Sequence, residues 1–298
     1  VIRRELKLYP GDVFSRSKLM RSQRDIWILN YFDNVIPDVT PISDDKVNLD
    51  FVVEEKKSTQ RINANLGFTG EYGITGGAGV EFDNFRGKGQ KLNIGASTGT
   101  NFSIYTTQEP SKYRSLNISF QDPMINDSPY LVGASIFYSF RGSSTNYYFP
   151  LDFTVGGAVA SFGRRLEWPD DFFRVMWSAK FMQKEYEGSQ SDIDNYIGGL
   201  QKTRGISLSQ VLSRDSRNRA EFPTNGSTFI LENTYSGGFL GGNENFQKHM
   251  LTLDWFTPTF SKFVLYNSVK LGVIKTIDVG DDIQSFVPFD ERFIMGGN

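Results

Sequence analysis

Apolar and polar residues alternate over long stretches of this sequence, and this period-2 pattern constrains the fold more than any other feature. The alternation is clear between residues 206 and 255, where apolar side chains recur at every second position around Leu208, Leu231 and Leu253. A polar stretch that closes with Phe222-Pro-Thr-Asn-Gly226 separates the first two segments. Proline cannot donate to a strand ladder, and Asn-Gly favours positive φ. The region therefore predicts an antiparallel meander with a turn at Phe222, Pro223, Asn225 and Gly226.

The same alternation continues through most of the chain after residue 59. About eleven strands are predicted, near residues 60–69, 72–82, 90–104, 112–122, 130–141, 152–166, 172–186, 203–214, 227–237, 246–257 and 262–276. Strands of soluble domains average ~5–6 residues, whereas a tilted strand of ~9–11 residues crosses a bilayer. The connections alternate between compact turns and long polar loops, as in outer-membrane barrels. The sequence thus predicts a mainly β protein built on a transmembrane antiparallel β-barrel.

One strand shows which side chains are expected to face lipid. From Phe173 to Phe181 apolar and polar residues alternate without interruption. Because successive side chains of a strand point to opposite faces, we expect one set to contact lipid and the other to face the lumen. These sets are Val175, Trp177 and Ala179 on the lipid side, and Arg174, Ser178 and Lys180 on the lumen side.

The composition excludes several classes of protein. The 32 Lys and Arg residues nearly balance 34 Asp and Glu residues, so the net charge of −2 provides no general attraction to nucleic acid. The absence of cysteine excludes disulfides and thiol chemistry. The 29 Gly, 26 Phe and 13 Tyr residues suit long strands with aromatic girdles and tight turns. No apolar run approaches the ~18 residues of a transmembrane helix.

Residues 1–58 differ in character from the rest. Helical spacing of apolar residues predicts a helix within Val1–Leu8 and a second helix that begins after the N-cap residue Ser15. Two strands are predicted near 35–40 and 47–53. Together these elements predict a small α+β unit, and the chain starts inside a helical pattern, which suggests that it is a fragment.

Several short motifs, in order along the chain, resemble the Omp85 family of outer-membrane assembly factors. They are Ile2-Arg-Arg-Glu-Leu6, Leu29-Asn-Tyr-Phe-Asp33, Gly67-Phe-Thr-Gly-Glu-Tyr-Gly73, Asp83-Asn-Phe-Arg-Gly-Lys-Gly89, Asp122-Pro123, Arg214-Asp215, Phe222-Pro-Thr-Asn-Gly226 and Asp290-Glu-Arg-Phe-Ile-Met-Gly-Gly297. Each motif is weak alone, but together they cover nearly the whole chain. The resemblance implies that residues 1–58 are the last POTRA domain, without its first strand, and that residues 59–298 begin a sixteen-stranded barrel that stops at the sixth extracellular loop. An open eleven-stranded sheet leaves two unpaired edges in lipid, so we expect the natural protein to continue beyond Asn298.

The resemblance also implies a function and its site residues. The function is folding and insertion of β-barrel proteins into the bacterial outer membrane, with the POTRA domain in the periplasm. The expected partners are unfolded outer-membrane clients, accessory periplasmic lipoproteins or other subunits of the assembly complex, and outer-membrane lipid and lipopolysaccharide. The expected sites are a lateral-gate strand (Arg61, Ile62, Asn63, Ala64, Asn65, Leu66, Gly67 and Phe68), a partner-binding helix (Arg3, Arg4 and Glu5) and the approach to the sixth loop (Glu291, Arg292, Phe293, Gly296 and Gly297). The sequence of the gate strand also suggests few bulky side chains facing lipid. It contains Asn and Gly residues, which weaken strand pairing.

Two other classes of function stay open. A sibling transporter of the same superfamily would secrete a passenger through the lumen, and a passive porin or an enzyme barrel would belong to a different class. Gly95-Ala-Ser-Thr-Gly99 fits a nucleophile-elbow pattern, but it lies within a predicted strand, and His249 is the single histidine. We therefore expect no enzyme, no cofactor and no metal site.

Overall fold

The computed structural model describes residues 1–57, 59–69, 73–100, 112–143, 150–166, 168–170, 172–218, 222–279, 287–288 and 291–293. Four elements form an N-terminal α+β unit. They are helix α1 (Ile2–Glu5), helix α2 (Arg16–Ile28) and the hairpin of β1 (Phe32–Ser43) and β2 (Lys46–Glu55). Ser15 caps α2 as predicted, since its hydroxyl accepts a hydrogen bond from the Lys18 amide. α1 is shorter than predicted, and β1 is longer.

The α+β unit has a small core of its own. Ile26 of α2 and Tyr31, Phe32 and Val35 around the start of β1 are buried together. Partly buried apolar side chains pack against them from α1, from the residues that follow it and from β2. The core explains why the short α1 is held in place: four residues are too few for a helix that is stable alone.

Eleven strands form one antiparallel sheet in which each strand pairs with its neighbours in sequence. The strands are β3 (Gln60–Thr69), β4 (Gly73–Phe85), β5 (Gln90–Thr100), β6 (Lys112–Asp122), β7 (Tyr130–Arg141), β8 (Asp152–Arg165), β9 (Phe173–Glu187), β10 (Lys202–Asp215), β11 (Gly226–Ser236), β12 (Phe246–Pro258) and β13 (Val264–Thr276). They match the predicted strands closely. The mainly β fold, with a barrel-type meander after a small α+β unit, is therefore confirmed.

The register of the ladder defines two faces. Ile94, Ile118 and Ile136 lie opposite one another on β5, β6 and β7, on the outward face. The residue next to each isoleucine in its strand faces the other way. These residues, Asn93, Ser119 and Ser135, are also aligned across the three strands. An apolar outer face and a polar inner face are typical of a barrel wall in a membrane.

The facing predicted for β9 holds in part. Trp177 and Ala179 are exposed on the outward face, where Trp177 stacks on Phe162 of β8. Val175 has the same parity but is only 8% exposed, so its predicted contact with lipid is wrong. It lies near the strand end that borders the α+β unit, where it lines a large cavity.

A further helix was not predicted. Residues 187–202 read as a polar loop, yet α3 (Gln190–Ile197) forms there, with the Ser189 hydroxyl as its N-cap and Gly198 in the left-handed conformation at its end. Ile193 and Ile197 of α3 pack on Leu151 and Tyr186 at the outer end of the wall. None of the helices in the described residues is long and apolar enough to span a bilayer.

Candidate functional site

The candidate site begins at an edge of the sheet. β3 pairs with β4 from Gln60 opposite Phe82 to Thr69 opposite Gly73, and no other described strand pairs with it. In an antiparallel ladder, alternate peptide groups of an edge strand point away from its partner. β3 therefore presents a row of backbone donors and acceptors along residues 61–68.

The two faces of β3 differ from the expectation. Ile62, Leu66 and Phe68 point outward and are 81%, 82% and 79% exposed, so the expected lack of lipid-facing bulk is wrong. Ala64 is the one small residue on that face. The error has a simple cause, because period 2 places Arg61, Asn63, Asn65 and Gly67 together on the inner face.

The partner strand β4 offers β3 few side chains. Gly79, Gly77 and Gly76 lie opposite Asn63, Asn65 and Leu66. A Cβ at Gly77 would lie 2.6 Å from Oδ1 of Asn65, so a side chain there would force the asparagine side chain to move. Cross-strand side-chain pairs usually contribute ~0.2–1 kcal/mol each, and these pairs lack that term. Backbone hydrogen bonds are thus the main attachment of β3 to the wall.

Ion pairs hold the end of β3 that lies nearest the α+β unit. The Arg61 guanidinium lies 2.6 Å from a carboxylate oxygen of Asp83 and 3.3 Å from one of Glu81 on β4. The hydroxyl of Tyr31, from the α+β unit, donates to the backbone carbonyl oxygens of Asp83 at 2.8 Å and Gly89 at 3.4 Å. Burial raises the pKa of Tyr31 to about 12, with Asp83 and Glu5 adding to the effect, so the hydroxyl keeps its proton at physiological pH.

Helix α1 lies against turns of the barrel. Arg4 donates to Oδ1 of Asp127 at 2.6 Å, in the turn after β6, and to the carbonyl of Lys88 at 3.2 Å, in the turn after β4. Burial raises the pKa of Glu5, and the cations of Lys7 and Arg165 oppose that shift. Arg3 is exposed. Arg4 and Glu5 thus both act within this chain, and their predicted contact with a lipoprotein stays a prediction.

The turn around Phe222 has the predicted backbone. Gly226 has φ 108°, and a Cβ there would lie 2.5 Å from the Ser216 carbonyl oxygen. The side chain of Asn218 holds the turn, since its Oδ1 accepts from the amides of Thr224 and Asn225 at 3.0 and 3.2 Å. Strand counting places this turn at the same end of the sheet as the turn after β4, which contacts the α+β unit.

Part of the sixth-loop approach packs on the inner wall. Lys248 of β12 donates to Oε2 of Glu291 at 2.9 Å, and its ammonium lies 5.4 Å from the centre of the Phe293 ring. A Cβ at Gly272 would lie 2.5 Å from the same ring, so the glycine makes room for it. Arg292 donates to the Val287 carbonyl at 3.0 Å. Gly296 and Gly297 lie outside the described residues.

A buried polar cluster inside the wall was not predicted. Lys184 of β9 and Glu244, just before β12, form an ion pair at 3.1 Å with their side chains 1% and 0% exposed. Thr203 of β10 donates to the same carboxylate at 2.7 Å. A Cβ at Gly205 would lie 2.7 Å from the other oxygen of Glu244. The cluster anchors the glycine-rich loop between β11 and β12 to the inside of the barrel wall.

The candidate catalytic residues do not come together. Ser97 lies on the inner face of β5 and shares a 2.6 Å hydrogen bond with Ser115, whereas His249 lies on the outer face of β12 and bonds Asn233. A nucleophile needs its base within hydrogen-bond reach, which opposite faces of the wall do not allow. Within the described ranges, no group of three or more His, Asp and Glu side chains could hold a metal ion.

Comparisons with known proteins agree with this architecture. Residues 84–298 match the model of the Omp85 superfamily domain, and residues 1–56 match the POTRA model, described as a surface antigen variable number repeat. The chain is similar along its whole length to two proteins named outer membrane protein assembly factor BamA. It is 32% identical over 311 residues to that of Neisseria meningitidis serogroup B and 27% identical over 307 residues to that of Nitratidesulfovibrio vulgaris. It covers 37% and 35% of these two proteins, so it spans about a third of their length.

Solved structures share the fold at lower identity. The crystal structure of BamA from Haemophilus ducreyi lacking POTRA domains 1–3 superimposes with a TM-score of 0.70 at 18% identity, over 99% of this chain and 55% of that one. CdiB from Acinetobacter baumannii gives a TM-score of 0.57 at 17% identity, over 98% of this chain and 52% of that one.

Proposed function

Because this chain belongs to the Omp85 superfamily, we propose that it is part of a factor that folds β-barrel proteins and inserts them into the bacterial outer membrane. The observation that carries this proposal is the pairing of β3, the first strand of the sheet, with a glycine-rich partner strand that holds it mainly by backbone hydrogen bonds. The protein lies in the outer membrane, with the α+β unit as a POTRA domain in the periplasm. Its substrates are unfolded outer-membrane proteins.

Clients are inserted by strand addition at the seam, which is where β3 meets the strand that closes the barrel. An unpaired peptide group costs several kcal/mol in hydrocarbon, so a client hairpin that pairs with residues 61–68 is strongly favoured over lipid at that edge. The free energy comes from the client's own folding, without ATP, a cofactor or covalent chemistry. The strand that closes the sixteen-stranded barrel must leave this edge for the client to bind, and local thinning of the bilayer assists insertion.

The remaining partners follow from the same arrangement. Accessory periplasmic lipoproteins, or other subunits of an assembly complex, bind the POTRA domain around Arg3, Arg4 and Glu5. Lipid and lipopolysaccharide surround the outward face, on which Ile62, Leu66 and Phe68 lie.

A reversible lock on the seam tests the proposal. A cysteine at Asn65, cross-linked in the full-length protein to the barrel's closing strand, should abolish client insertion and growth, and reduction should restore both. The matched control links β3 to β4 through Ala64→Cys and Ala78→Cys, which lie directly opposite one another and leave the outer edge free. That variant should retain activity.

A locked seam that still inserts clients at the normal rate would contradict the proposal. The sibling-transporter function, with passage of a polypeptide through the lumen, would then be the better explanation.

A further inference from the structure

A shallow groove crosses the outward face of the barrel wall. Three alanines lie side by side in the ladder, since Ala134 of β7 is opposite Ala160 of β8, which is in turn opposite Ala179 of β9. Phe120 of β6 lies at one end of this row and Leu208 of β10 at the other. The groove over the alanines has a volume of about 500 Å³. We call it the alanine trough.

Large apolar side chains flank the trough on both sides. On the side towards the α+β unit, Phe162 and Trp177 lie opposite one another in the next row of the ladder. On the other side, Ile136 and Phe181 lie on either side of Ala158. A groove with apolar walls that opens on the lipid-facing side of a barrel fits a hydrocarbon chain.

A stack of aromatic rings connects the trough with the end of the wall. The Phe162 ring lies 6.1 Å from that of Trp177 and 5.4 Å from that of Tyr130, centre to centre, and both pairs are nearly parallel. The guanidinium carbon of Arg164 lies 5.4 Å from the centre of the Tyr130 ring. Arg164 is thus held by a cation–π contact two residues beyond Phe162, on the same face of β8.

The charge of Arg164 is available to a ligand. The side chain is exposed, and in the described part of the chain no carboxylate forms an ion pair with it. Arg214, on the outward face of β10, differs because its Nε lies 2.9 Å from a carboxylate oxygen of Asp170. A guanidinium over an aromatic ring keeps N–H groups at its edge, and phosphate oxygens are acceptors that match them.

The spacing between this charge and the trough matches a phospholipid. Arg164 and Ala160 are four residues apart on one strand, which is ~13 Å along it. Strands of such barrels tilt by ~35–45°, so the trough lies ~10 Å deeper in the membrane than Arg164. Half of the hydrocarbon core is ~15 Å thick. With Arg164 at the headgroup level, the trough therefore lies among the acyl chains of the same leaflet.

We infer that this surface binds an anionic phospholipid of the periplasmic leaflet, with its phosphate at Arg164 and an acyl chain in the alanine trough. The positive charge of Arg164 favours a headgroup of net negative charge, such as phosphatidylglycerol, over the zwitterionic phosphatidylethanolamine. The inference does not rest on the proposed function, because it requires only that the wall stands in the membrane.

Native mass spectrometry of the full-length protein in detergent measures the bound lipid directly. The protein is titrated with phosphatidylglycerol and, separately, with phosphatidylethanolamine that has the same acyl chains. Arg164→Gln should bind phosphatidylglycerol about fivefold more weakly, which is the factor expected for one basic residue at an anionic lipid surface, and phosphatidylethanolamine almost unchanged. Arg164→Lys keeps the charge and should retain most of the preference for phosphatidylglycerol.

Two further variants separate the charge from the trough. Arg114 is also exposed on the outward face, but it lies at the other end of the strands, opposite Phe140. Arg114→Gln should bind phosphatidylglycerol within about twofold of the parent protein. Ala160→Phe fills the middle of the trough and should weaken the binding of both lipids by a similar factor, about twofold or more. Ala160→Leu provides the same test if the phenylalanine variant fails to fold, as judged by gel mobility before and after heating.

The inference would be overturned if Arg164→Gln kept the parent protein's preference for phosphatidylglycerol, or if Arg114→Gln lost it to the same extent. Unchanged binding of both lipids by Ala160→Phe would also count against the site. The measured mass reports self-association as well. If Ala160→Phe separated a dimer of the parent protein and left lipid binding unaltered, the trough would be an interface between two copies of the chain.

Discussion

Removal of Glu244 should destabilise the barrel far more than its position beside a loop suggests. In the parent protein its carboxylate is fully buried and bonds both Lys184 and Thr203. Glu244→Gln removes the carboxylate that lies 3.1 Å from the Lys184 ammonium, and the Lys184 side chain is only 1% exposed. Breaking a buried ion pair in this way typically costs ~3–5 kcal/mol. The folded-to-unfolded ratio should thus fall at least about a hundredfold.

The physical cause can be separated from a general defect with two further variants. The double variant Lys184→Met and Glu244→Gln removes both charges and should recover most of the lost stability, because the cost lies in removing one partner of a buried ion pair. Lys202→Met breaks the ion pair between Lys202 of β10 and Glu185 of β9, whose side chains are 68% and 42% exposed. This change should leave the stability nearly unaltered.

Urea unfolding in lipid vesicles, followed by tryptophan fluorescence, gives the comparison directly. If Glu244→Gln unfolds at the same urea concentration as the parent protein, Lys184 is hydrated in the lumen. A double variant as unstable as the single one would show that shape, and not charge, sets the cost. Either result would refute the reasoning.

Four other changes probe the rest of the chain. Gly226→Val should slow barrel folding, measured by the gel-mobility shift, because its φ of 108° and the nearby carbonyl leave no room for a side chain. The pKa of Tyr31 is raised to about 12 in the folded protein, against ~10 in the unfolded chain. The hydrogen bond from its hydroxyl to β4 should therefore stabilise the protein fully below pH ~10, and this stabilisation should be lost as the pH rises to about 12. Tyr31→Phe should abolish this phase of a pH–stability curve. On the outer face, Ala179→Arg near the midplane should cost ~2–4 kcal/mol of unfolding free energy, and Ser178→Arg on the inner face much less. Glu5→Lys should lower the recovery of periplasmic partners while the barrel stays heat-modifiable, and unchanged recovery would restrict Glu5 to contacts within the chain.

The strands were predictable because one rule governs them. Three of the predicted ranges, 60–69, 112–122 and 130–141, coincide with β3, β6 and β7, and the other strand ends differ by a few residues at most. A wall with lipid on one side and water on the other imposes period 2 on every strand. That pattern also fixes the faces, although it cannot reveal that Val175 is buried.

The candidate site was less predictable because it depends on contacts between distant residues. Lys184 lies within the predicted strand 172–186 and Glu244 between two predicted strands, and only the folding of the β11–β12 loop into the wall brings them together. The signal for α3 was present in Ser189, three residues before Asp192, and in Gly198, but it was short. The large cavity that Val175 lines depends on where α1 docks, and no local pattern encodes that position.

The two hydrogen bonds of Tyr31 have a mechanical consequence. They reach the carbonyls of Asp83 and Gly89, one on each flank of the β4–β5 turn. Arg4 also donates to the carbonyl of Lys88 in the same turn, so the α+β unit holds the base of the β4–β5 hairpin, and Arg4 reaches a second turn at Asp127. A torque on the unit therefore acts on β4, the strand that pairs with β3, and through Asp127 on the turn after β6. A force that tilts the α+β unit should therefore twist β4 and the β3 edge that pairs with it.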